Sequence, residues 1–474
     1  MKRDKSILLV MPSRHARETL CAQEFARFQP LGLAYIAAST PGHWNLEILD
    51  ESFENIGELE RFAIVGVSIA TRSALRAYQI AEEAKSHGCY TVAGGIHASM
   101  RVEETLSYFD TVVSGEGEES WQRFLKDYEA GAPKRLYEAS EHQSMDEIFA
   151  PRRSSMSDFY QVGSIQTSRG CPFNCSFCSV TVFSGRRYRY RSPDLVLEEL
   201  LSIPQKYLFF VDDNLVGCSE RSIDRAKKIF KGMIERKLGK KYIAQVTINF
   251  GFDDELIELA SESGCGAVFI GIESIDENIL KSMNKMINVK TGVSRYRGLF
   301  RRIQEKGIAV VGTMALGSDG ESPTIFEDTA RFIDSSGMDA VQLTIATPLP
   351  GTRLFEQLTM EGRIVFNNYP EDWIHYSLGS LVFKPRDKNP ADIAAGWKRL
   401  VDSAYSKPKL LKRDIQTFIR TKKFSSVYLS HRLNKAYREA YLGSSFYKHP
   451  SLDAFARQSE PSSKTPDSIG ALAE

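Results

Sequence analysis

Short apolar runs alternate with amphipathic stretches over residues 1–131 of the chain. The apolar runs read SILLVMP, NLEILD, AIVGVSIA, TVAGG and TVVSG, and runs of this kind are typical of parallel strands that are buried on both faces. Between them, residues 72–88 and 118–131 have the apolar spacing of a helix, and each ends in a glycine. The alternation predicts an α/β domain with a doubly wound parallel sheet that binds ligands at the carboxyl ends of its strands.

A polar stretch of weak periodicity, residues 132–162, is predicted to connect this domain to a second series of strands and helices. Six further apolar runs read SIQTS, YLFFVD, IAQVTI, AVFIGI, IAVVGTMAL and AVQLTIA, with helical candidates between them. Six βα units in a row predict a (β/α)6 partial TIM barrel over residues 163–351, with its active site at the carboxyl ends of the strands. We expect a mainly helical region over 352–454 and a disordered tail over 455–474.

Composition and charge exclude several classes of protein. The 474 residues carry 61 Lys and Arg against 60 Asp and Glu, a balance that gives no reason to expect nucleic-acid binding. No apolar run reaches the length of a transmembrane helix, and the run near the amino terminus is too short for a signal peptide. Seven cysteines, three of them clustered, indicate reduced thiols rather than a disulfide framework. We expect a cytoplasmic protein of two or three domains.

The clustered cysteines follow the first strand of the predicted barrel. Cys171, Cys175 and Cys178 have the spacing Cx3Cx2C, while Cys218 and Cys265 are isolated in the sequence. A structural zinc site usually has four ligands, commonly as two pairs of cysteines. Three thiolates without a nearby fourth suit a [4Fe–4S] cluster with one iron open to a further ligand. A zinc site, or no metal at all, is the alternative.

This cysteine motif follows the first barrel strand and has Phe177 before its last cysteine. In both respects it resembles the motif of the radical S-adenosylmethionine superfamily. The resemblance covers about residues 163–351. It implies that S-adenosylmethionine binds the open iron, with Phe177 beside it, and that its reductive cleavage yields a 5′-deoxyadenosyl radical that takes hydrogen from an unactivated carbon. It also implies an electron donor such as flavodoxin or ferredoxin.

The same resemblance implies contacts to S-adenosylmethionine after the second and fourth barrel strands. Residues FVDDN are placed near its amino group, and residues GIES near its ribose. The implied contacts are Asp212, Asp213, Asn214, Glu273 and Ser274. A carboxylate suits a cationic amine or two adjacent hydroxyls. The alternative for each carboxylate is a structural one, either a cap at a strand end or a salt bridge to Lys281 or Lys285.

The amino-terminal domain resembles the cobalamin-binding domain that precedes the barrel in one subgroup of these enzymes. The resemblance rests on QPLGLAYIAA, VAGGIHAS and VSGEGEES. It implies cobalamin contacts at Ser68, Thr71, Gly94, Gly95, His97, Gly115 and Glu116. Glycines at strand ends allow close approach to a bulky ligand, although they also serve plain packing of helix on sheet. The cobalt-ligating histidine of many cobalamin proteins is absent, since residues 50–53 read DESF.

Most members of that subgroup methylate unactivated carbons. The resemblance therefore implies a cobalamin-dependent C-methyltransferase, and we expect a lipid or a natural-product-like substrate. Two alternatives stay open at this stage, namely a radical cyclase or carbon–carbon coupling enzyme that moves no methyl group, and a sensor of cobalamin or redox state.

A basic stretch near the carboxyl terminus has three interpretations. Residues 407–438 hold ten Lys or Arg, interleaved in part with Leu, Ile and Phe, and Asp414 is the one acidic residue among them. The stretch is a solvated helical face, a peripheral contact with anionic lipid headgroups, or a contact with an acidic substrate.

Overall fold

The structure is a computed structural model that describes residues 5–13, 28–139, 144–156 and 159–442. These residues form two six-stranded sheets, in both of which all neighbouring strands are parallel. The amino-terminal sheet precedes the second sheet in the chain, and a mainly helical region follows. The predicted α/β fold class, with its doubly wound sheet, six βα units and helical carboxyl-terminal region, is confirmed.

The amino-terminal sheet has the strand order β2-β1-β3-β4-β5-β6. Its strands are β1 (Ser6–Met11), β2 (Asn45–Asp50), β3 (Ile64–Ser68), β4 (Tyr90–Gly94), β5 (Thr111–Ser114) and β6 (Leu136–Glu138). Alternate residues of β1 pack into two different cores, Ile7 and Leu9 into one and Leu8 and Val10 into the other. Helices therefore cover both faces, as the continuous apolar strands predict.

The second sheet runs through its strands in chain order, as a barrel wall does. Its strands are β7 (Val162–Ile165), β10 (Tyr207–Phe210), β11 (Lys241–Val246), β12 (Cys265–Glu273), β13 (Ala309–Leu316) and β14 (Ala340–Ile345), while β8 (Ser168–Arg169) and β9 (Arg189–Tyr190) form a separate antiparallel pair. The six sheet strands coincide with the six predicted runs.

Helices connect the strands and make up the carboxyl-terminal region. They are α1 (Leu31–Ala38), α2 (Ala74–Ser86), α3 (Ile96–Met100), α4 (Val102–Leu106), α5 (Gly117–Glu129), α6 (Val180–Phe183), α7 (Pro193–Ser202), α8 (Glu220–Glu235), α9 (Asp254–Ser263), α10 (Glu277–Ser282), α11 (Met286–Thr291), α12 (Tyr296–Glu305), α13 (Ile325–Ser336), α14 (Arg353–Met360), α15 (Pro390–Ala404), α16 (Lys407–Thr421) and α17 (Phe424–Leu442). Among the residues described, no helix is long and apolar enough to cross a membrane.

One strand of the first sheet comes from the stretch that we predict to be a connection. Strand β6 pairs with β5 at the sheet edge. Tyr137 explains this pairing, because its ring packs against Phe124 and its hydroxyl donates to Asp127. The division of the chain at residues 131, 162 and 351 stays a prediction, and the predicted tail at 455–474 lies outside the described residues.

Helix α17 packs on the inner face of the second sheet near the amino ends of its strands. Leu433 shares a core there with Ala267 and Ala309. These two alanines lie on one face of the sheet, and the strand residues that pack against the outer helices lie on the other face. The Ser426 hydroxyl donates to the Gly307 carbonyl oxygen at 2.7 Å, just before β13. The barrel interior is thereby closed at its amino-terminal end, and the carboxyl end carries the cysteine loop.

Gly95 begins the turn from β4 into α3 with φ of +93° and ψ of 179°, a conformation that is essentially limited to glycine. A Cβ at this position would lie 2.9 Å from both the amide nitrogen and the carbonyl oxygen of Ile69. Both Ile69 atoms already bond to neighbouring backbone, the nitrogen to the Gly94 carbonyl and the oxygen to the His97 amide. The loop between β3 and α2 therefore lies directly against the glycine.

We expect Gly95→Ala to lower the free energy of unfolding by about 1–3 kcal/mol, because the new methyl group meets backbone and the residue keeps an unfavourable φ. Gly57→Ala is the matched control, since no atom lies within 4 Å of a Cβ at Gly57, and we expect it to change stability by at most about 0.5 kcal/mol. Thermal unfolding of the full chain measures both. Equal melting temperatures for the two variants would contradict this account.

Candidate cofactor sites

The three clustered cysteines lie in the loop between β8 and α6, at the carboxyl end of the barrel. All three are free thiols with partly exposed side chains. Backbone hydrogen bonds hold the loop from two sides, since the Ser176 amide donates to the Met283 carbonyl and the Ser176 carbonyl accepts from the Leu354 amide, both at 3.0 Å. The first bond comes from the end of α10 and the second from the start of α14. The carboxyl-terminal region thus helps to shape the cysteine loop.

Partial burial raises the pKa of all three thiols, that of Cys171 to about 11. The Lys285 ammonium acts in the opposite direction on each of them. Within the described residues, no group of three or more His, Cys, Asp or Glu side chains is arranged to hold a single metal ion. A [4Fe–4S] cluster makes a different demand, because each thiolate binds a separate iron. The donor set fits such a cluster better than it fits structural zinc.

Asp212 lies beneath the cysteine loop rather than in an open site. Its side chain is fully buried, and it accepts hydrogen bonds from the Thr167 amide at 3.1 Å, from the Thr167 hydroxyl at 2.8 Å and from the Ser168 hydroxyl. Burial raises the pKa of this carboxyl group, and these donors oppose the increase. The predicted contact between Asp212 and S-adenosylmethionine therefore competes with an internal role, which is to fix the chain that leads into the loop.

The two residues after Asp212 differ from each other. Asp213 is exposed and interacts with the nearby Cys178, while partial desolvation and the charge of Asp212 raise the pKa of Asp213 to about 6. Asn214 is buried, and its side-chain oxygen accepts from the Gly217 amide at 3.3 Å. Of the three residues, Asp213 has the side chain that is open to a ligand. Its contact with the methionyl amine stays a prediction.

Glu273 ends β12 at a register irregularity and has a φ of +62°, which is rare for a residue other than glycine. Its carboxylate accepts from the Lys285 ammonium at 2.6 Å, so the structural alternative raised by the sequence is present, with Lys285 and not Lys281 as the partner. Ser274 is buried, and its hydroxyl accepts from the Asp276 amide. Strained backbone of this kind clusters at functional sites.

A cavity of about 440 Å³ lies beside the cysteine loop, and we call it the loop cavity. The cysteine loop, the ends of β12–β14 and the carboxyl-terminal region all line it, with Phe177, Cys178, Glu273, Thr347, Gln357 and Arg386 among its residues. Phe177 and Glu273 are predicted site residues. Gln357 and Arg386 were not predicted, because the sequence of the carboxyl-terminal region contains no recognisable ligand motif.

A second cavity, of about 290 Å³, lies at the carboxyl end of the amino-terminal sheet, and we call it the sheet cavity. Five of the predicted cobalamin contacts line it, namely Ser68, Gly94, Gly95, Gly115 and Glu116. Its deeper wall is apolar and includes Leu9, Val92 and Trp121. On the barrel side Arg169, Phe183 and Ser184 complete it, so the chain that flanks the cysteines also lines this cavity.

Residues in the sheet cavity fit a bulky ligand with apolar and polar parts. Tyr35 is among the residues that line the cavity, and its buried hydroxyl has no hydrogen-bond partner among the described residues. A buried hydroxyl without a partner is unfavourable, so a ligand atom that bonds to it would remove this cost.

His97 and Thr71, two of the predicted cobalamin contacts, do not line the sheet cavity, and their contact with cobalamin stays a prediction. His97 lies on α3, and its fully buried ring contacts the Tyr78 hydroxyl at 3.2 Å and the Thr71 hydroxyl at 3.4 Å. The Trp373 ring packs edge-on against it, with centroids 5.1 Å apart. Helix α3 starts right after Gly95 and turns this side chain away from the cavity. Burial lowers the pKa of His97, so the neutral ring is favoured in this core.

Buried ion pairs join the wall of the sheet cavity to the strand pair that flanks the cysteine loop. Arg169 donates to Glu118 at 2.6 Å and to Glu116 at 3.2 Å, and Arg189 donates to both oxygens of Glu116. All four side chains are about nine-tenths buried. We call these residues the interdomain ion pairs. They join the loop between β5 and α5 to the β8–β9 pair, and Arg169 lies two residues before Cys171.

Two family models match the parts of the chain that hold these sites. The radical SAM superfamily model matches residues 165–333, and the B12-binding domain model matches residues 21–125. The chain is a radical S-adenosylmethionine protein with a B12-binding domain. A further match, to a domain of unknown function (DUF4070), covers residues 352–449.

Curated relatives of this radical S-adenosylmethionine protein include two methylating enzymes. It is 28% identical over 428 residues to bacteriochlorophyllide d C-12(1)-methyltransferase of Chlorobaculum tepidum. The match covers 87% of this chain and 90% of the relative. It is 27% identical over 400 residues to the hopanoid C-2 methylase of Rhodopseudomonas palustris. This match covers 81% of this chain and 72% of the relative.

Among solved structures, the fold is shared with the radical S-adenosylmethionine methyltransferase TsrM of Kitasatospora setae, solved with cobalamin and a [4Fe–4S] cluster. The TM-score is 0.66 at 16% identity, over 92% of this chain and 100% of that one. The TsrM similarity shows the fold, and the two family matches confirm the predicted cofactors, which are the [4Fe–4S] cluster, S-adenosylmethionine and cobalamin.

Replacing Cys171, Cys175 and Cys178 by Ala should abolish iron binding, since the thiolates are the predicted ligands of the cluster. The exposed Cys218 offers a control, and we expect Cys218→Ala to retain iron at the wild-type level. Iron and sulfide are to be quantified per chain after anaerobic reconstitution. Iron retained in the triple variant, or lost with Cys218, would refute the assignment.

Glu116→Gln should lower the free energy of unfolding by about 3 kcal/mol, because it leaves two buried guanidinium groups incompletely paired. Glu119→Gln on the same domain is the control, since Glu119 forms an exposed pair with Arg123 at 3.8 Å, for which we expect at most about 1 kcal/mol. Chemical denaturation of the full chain compares the two. Similar losses of unfolding free energy in both variants would show that the buried interdomain ion pairs stabilise the protein no more than an exposed pair does.

Proposed function

We propose that this protein is a cobalamin-dependent C-methyltransferase that acts on an unactivated carbon of a small molecule. One observation carries the proposal. The short segment around the cysteines lines the sheet cavity with Arg169, Phe183 and Ser184, and lines the loop cavity with Phe177 and Cys178. A methyl donor in the first site and a substrate in the second would then lie on two sides of the same loop. The names of the two methylating relatives support the same reaction.

When bound, the cluster, S-adenosylmethionine and cobalamin supply the radical and methyl-transfer chemistry. The chain contributes binding, orientation and exclusion of water. In this proposal the three cysteines hold the cluster, while Asp213 and Glu273 accept hydrogen bonds from S-adenosylmethionine. The interdomain ion pairs keep the two sites in register, and the apolar walls of both cavities keep water away from the reacting groups.

The loop cavity supports a substrate that is mainly apolar with at least one polar or anionic group. Met283, Ile345, Leu349, Leu354, Leu378 and Phe383 contribute apolar surface to it. Polar and charged residues also line it, among them Glu273, Asp319, Gln357 and Arg386, and the Arg386 guanidinium pairs with Glu361. A lipid or a natural-product-like ring system has this combination of properties. The electron donor, such as flavodoxin or ferredoxin, and a cytoplasmic location stay predictions.

The test supplies S-adenosylmethionine with a deuterated methyl group to the anaerobically reconstituted enzyme, together with either a chlorin or a triterpenoid as substrate. We expect a product in which a CD3 group has replaced one hydrogen of the substrate, and no such product from the triple cysteine variant. A product that is lighter by two hydrogens and carries no label would replace methylation by coupling or cyclisation.

A further inference from the structure

Helix α16 turns its polar face toward the protein and its apolar face toward solvent, which is the reverse of an ordinary surface helix. The side chains that it buries are Arg413, Thr417 and Thr421. Arg413 donates to the Asn434 side chain at 3.0 Å, and the Thr417 hydroxyl donates to Asp339 at 2.8 Å. The protein-facing side of the helix is therefore polar and hydrogen-bonded. A surface helix normally turns its apolar stripe toward the core.

The apolar stripe of α16 points into solvent and continues onto the start of α17. Between 41 and 78% of each of these side chains is exposed: Leu411, Ile415, Phe418, Ile419, Phe424 and Tyr428. The first four recur at the spacing of one helical face. The Phe418 and Phe424 rings lie 4.7 Å apart, which joins the two helices into a single apolar surface. We call these six side chains the α16 stripe.

Scattered exposed apolar residues are normal, but the α16 stripe is concentrated. Of sixteen large apolar side chains that are exposed within the described residues, six fall in the eighteen positions from Leu411 to Tyr428. Contiguous exposed apolar surface of this kind marks an interaction site. Its hydrogen-bonded polar side already packs on the barrel, so the stripe has no place in the core that the described residues form.

Cations border the stripe, and this identifies the kind of surface that it fits. Lys407 and Lys412 lie on α16 at positions that flank the stripe on either side, and Lys422 follows the helix end; all three are exposed. The nearest acidic residue, Asp414, pairs with His431 at 2.8 Å. An apolar face between lysines, with aromatic rings at one end, is the arrangement that binds the headgroup region of an anionic bilayer.

The stripe lies at the opposite end of the barrel from the cysteine loop. Arg420 of α16 donates to the Gly337 carbonyl before β14, and Lys423 donates to the Lys306 carbonyl before β13. Both contacts are at the amino ends of barrel strands, whereas the loop cavity opens at the carboxyl ends. Binding at the stripe would leave both cavities uncovered.

We propose that the α16 stripe docks this protein on the surface of an anionic lipid bilayer as a peripheral contact. The apolar side chains enter the region between headgroups and acyl chains, and Lys407, Lys412 and Lys422 contact the lipid phosphates. This inference does not depend on the reaction that the enzyme catalyses, because none of these residues lines either cavity.

Vesicle flotation with the full chain tests the proposal, using phosphatidylcholine alone or with about one quarter phosphatidylglycerol. We expect the wild type to float with the anionic vesicles. The variant Leu411→Ser, Ile415→Ser, Ile419→Ser should bind anionic vesicles at least about tenfold more weakly, since three apolar side chains that would enter the bilayer are removed. Lys407→Gln with Lys412→Gln should weaken binding to the anionic vesicles by roughly fivefold for each lysine.

The matched control is Leu201→Ser with Met360→Ser, which removes two exposed apolar side chains elsewhere and should float like the wild type. Three results would overturn the proposal. The wild type could remain with the unbound protein for both vesicle types. The triple variant could float as well as the wild type. Sedimentation could instead show a dimer that the triple variant converts to monomer without any vesicle binding, which would assign the stripe to a second copy of the chain.

Discussion

The interdomain ion pairs are the constraint on which the rest of the account depends. Glu116 and Glu118 belong to the loop that lines the sheet cavity, while Arg169 and Arg189 belong to the strand pair that flanks the cysteines. Buried charges of this kind give stability only when all partners are present and hydrogen-bonded. Their directional bonds therefore specify one arrangement of the cobalamin-binding domain on the barrel, and with it the placement of two cavities on either side of one loop.

The carboxyl-terminal region completes both ends of the barrel. At the carboxyl end, the Leu354 amide bonds to the cysteine loop, and Arg386 and Gln357 enter the wall of the loop cavity. At the amino end, α17 closes the barrel interior and α16 presents its apolar stripe to solvent. The region thus combines contact with the cysteine loop, closure of the core and a surface suited to lipid. A chain of this kind can separate its substrate site from its site of attachment.

Prediction from sequence succeeds where the signal is local. Buried parallel strands are continuous apolar runs, so all the runs that we identified are strands. The cysteine spacing within eight residues is equally local, and its assignment as the cluster loop stays a prediction. Strand β6 was missed because its three residues are too few to form a pattern, and its place in the sheet depends on Tyr137 packing against α5. The positions of Asp212, Thr71 and His97 depend on which way a side chain turns at a strand end. Arg169 and Arg189 pair with residues more than fifty positions away, and no local pattern indicates such a partner.

The most direct test of the central claim, that the loop holding the cluster also borders the cobalamin site, is a magnetic one. Electron paramagnetic resonance is to be recorded on the anaerobic protein with cobalamin in its cob(II) state and the cluster reduced. The account predicts that the reduced cluster broadens the cobalt signal, and that the narrow signal returns in the variant lacking Cys171, Cys175 and Cys178. A cobalt signal that is the same with and without the cluster, or a protein that binds iron but no corrin, would contradict it.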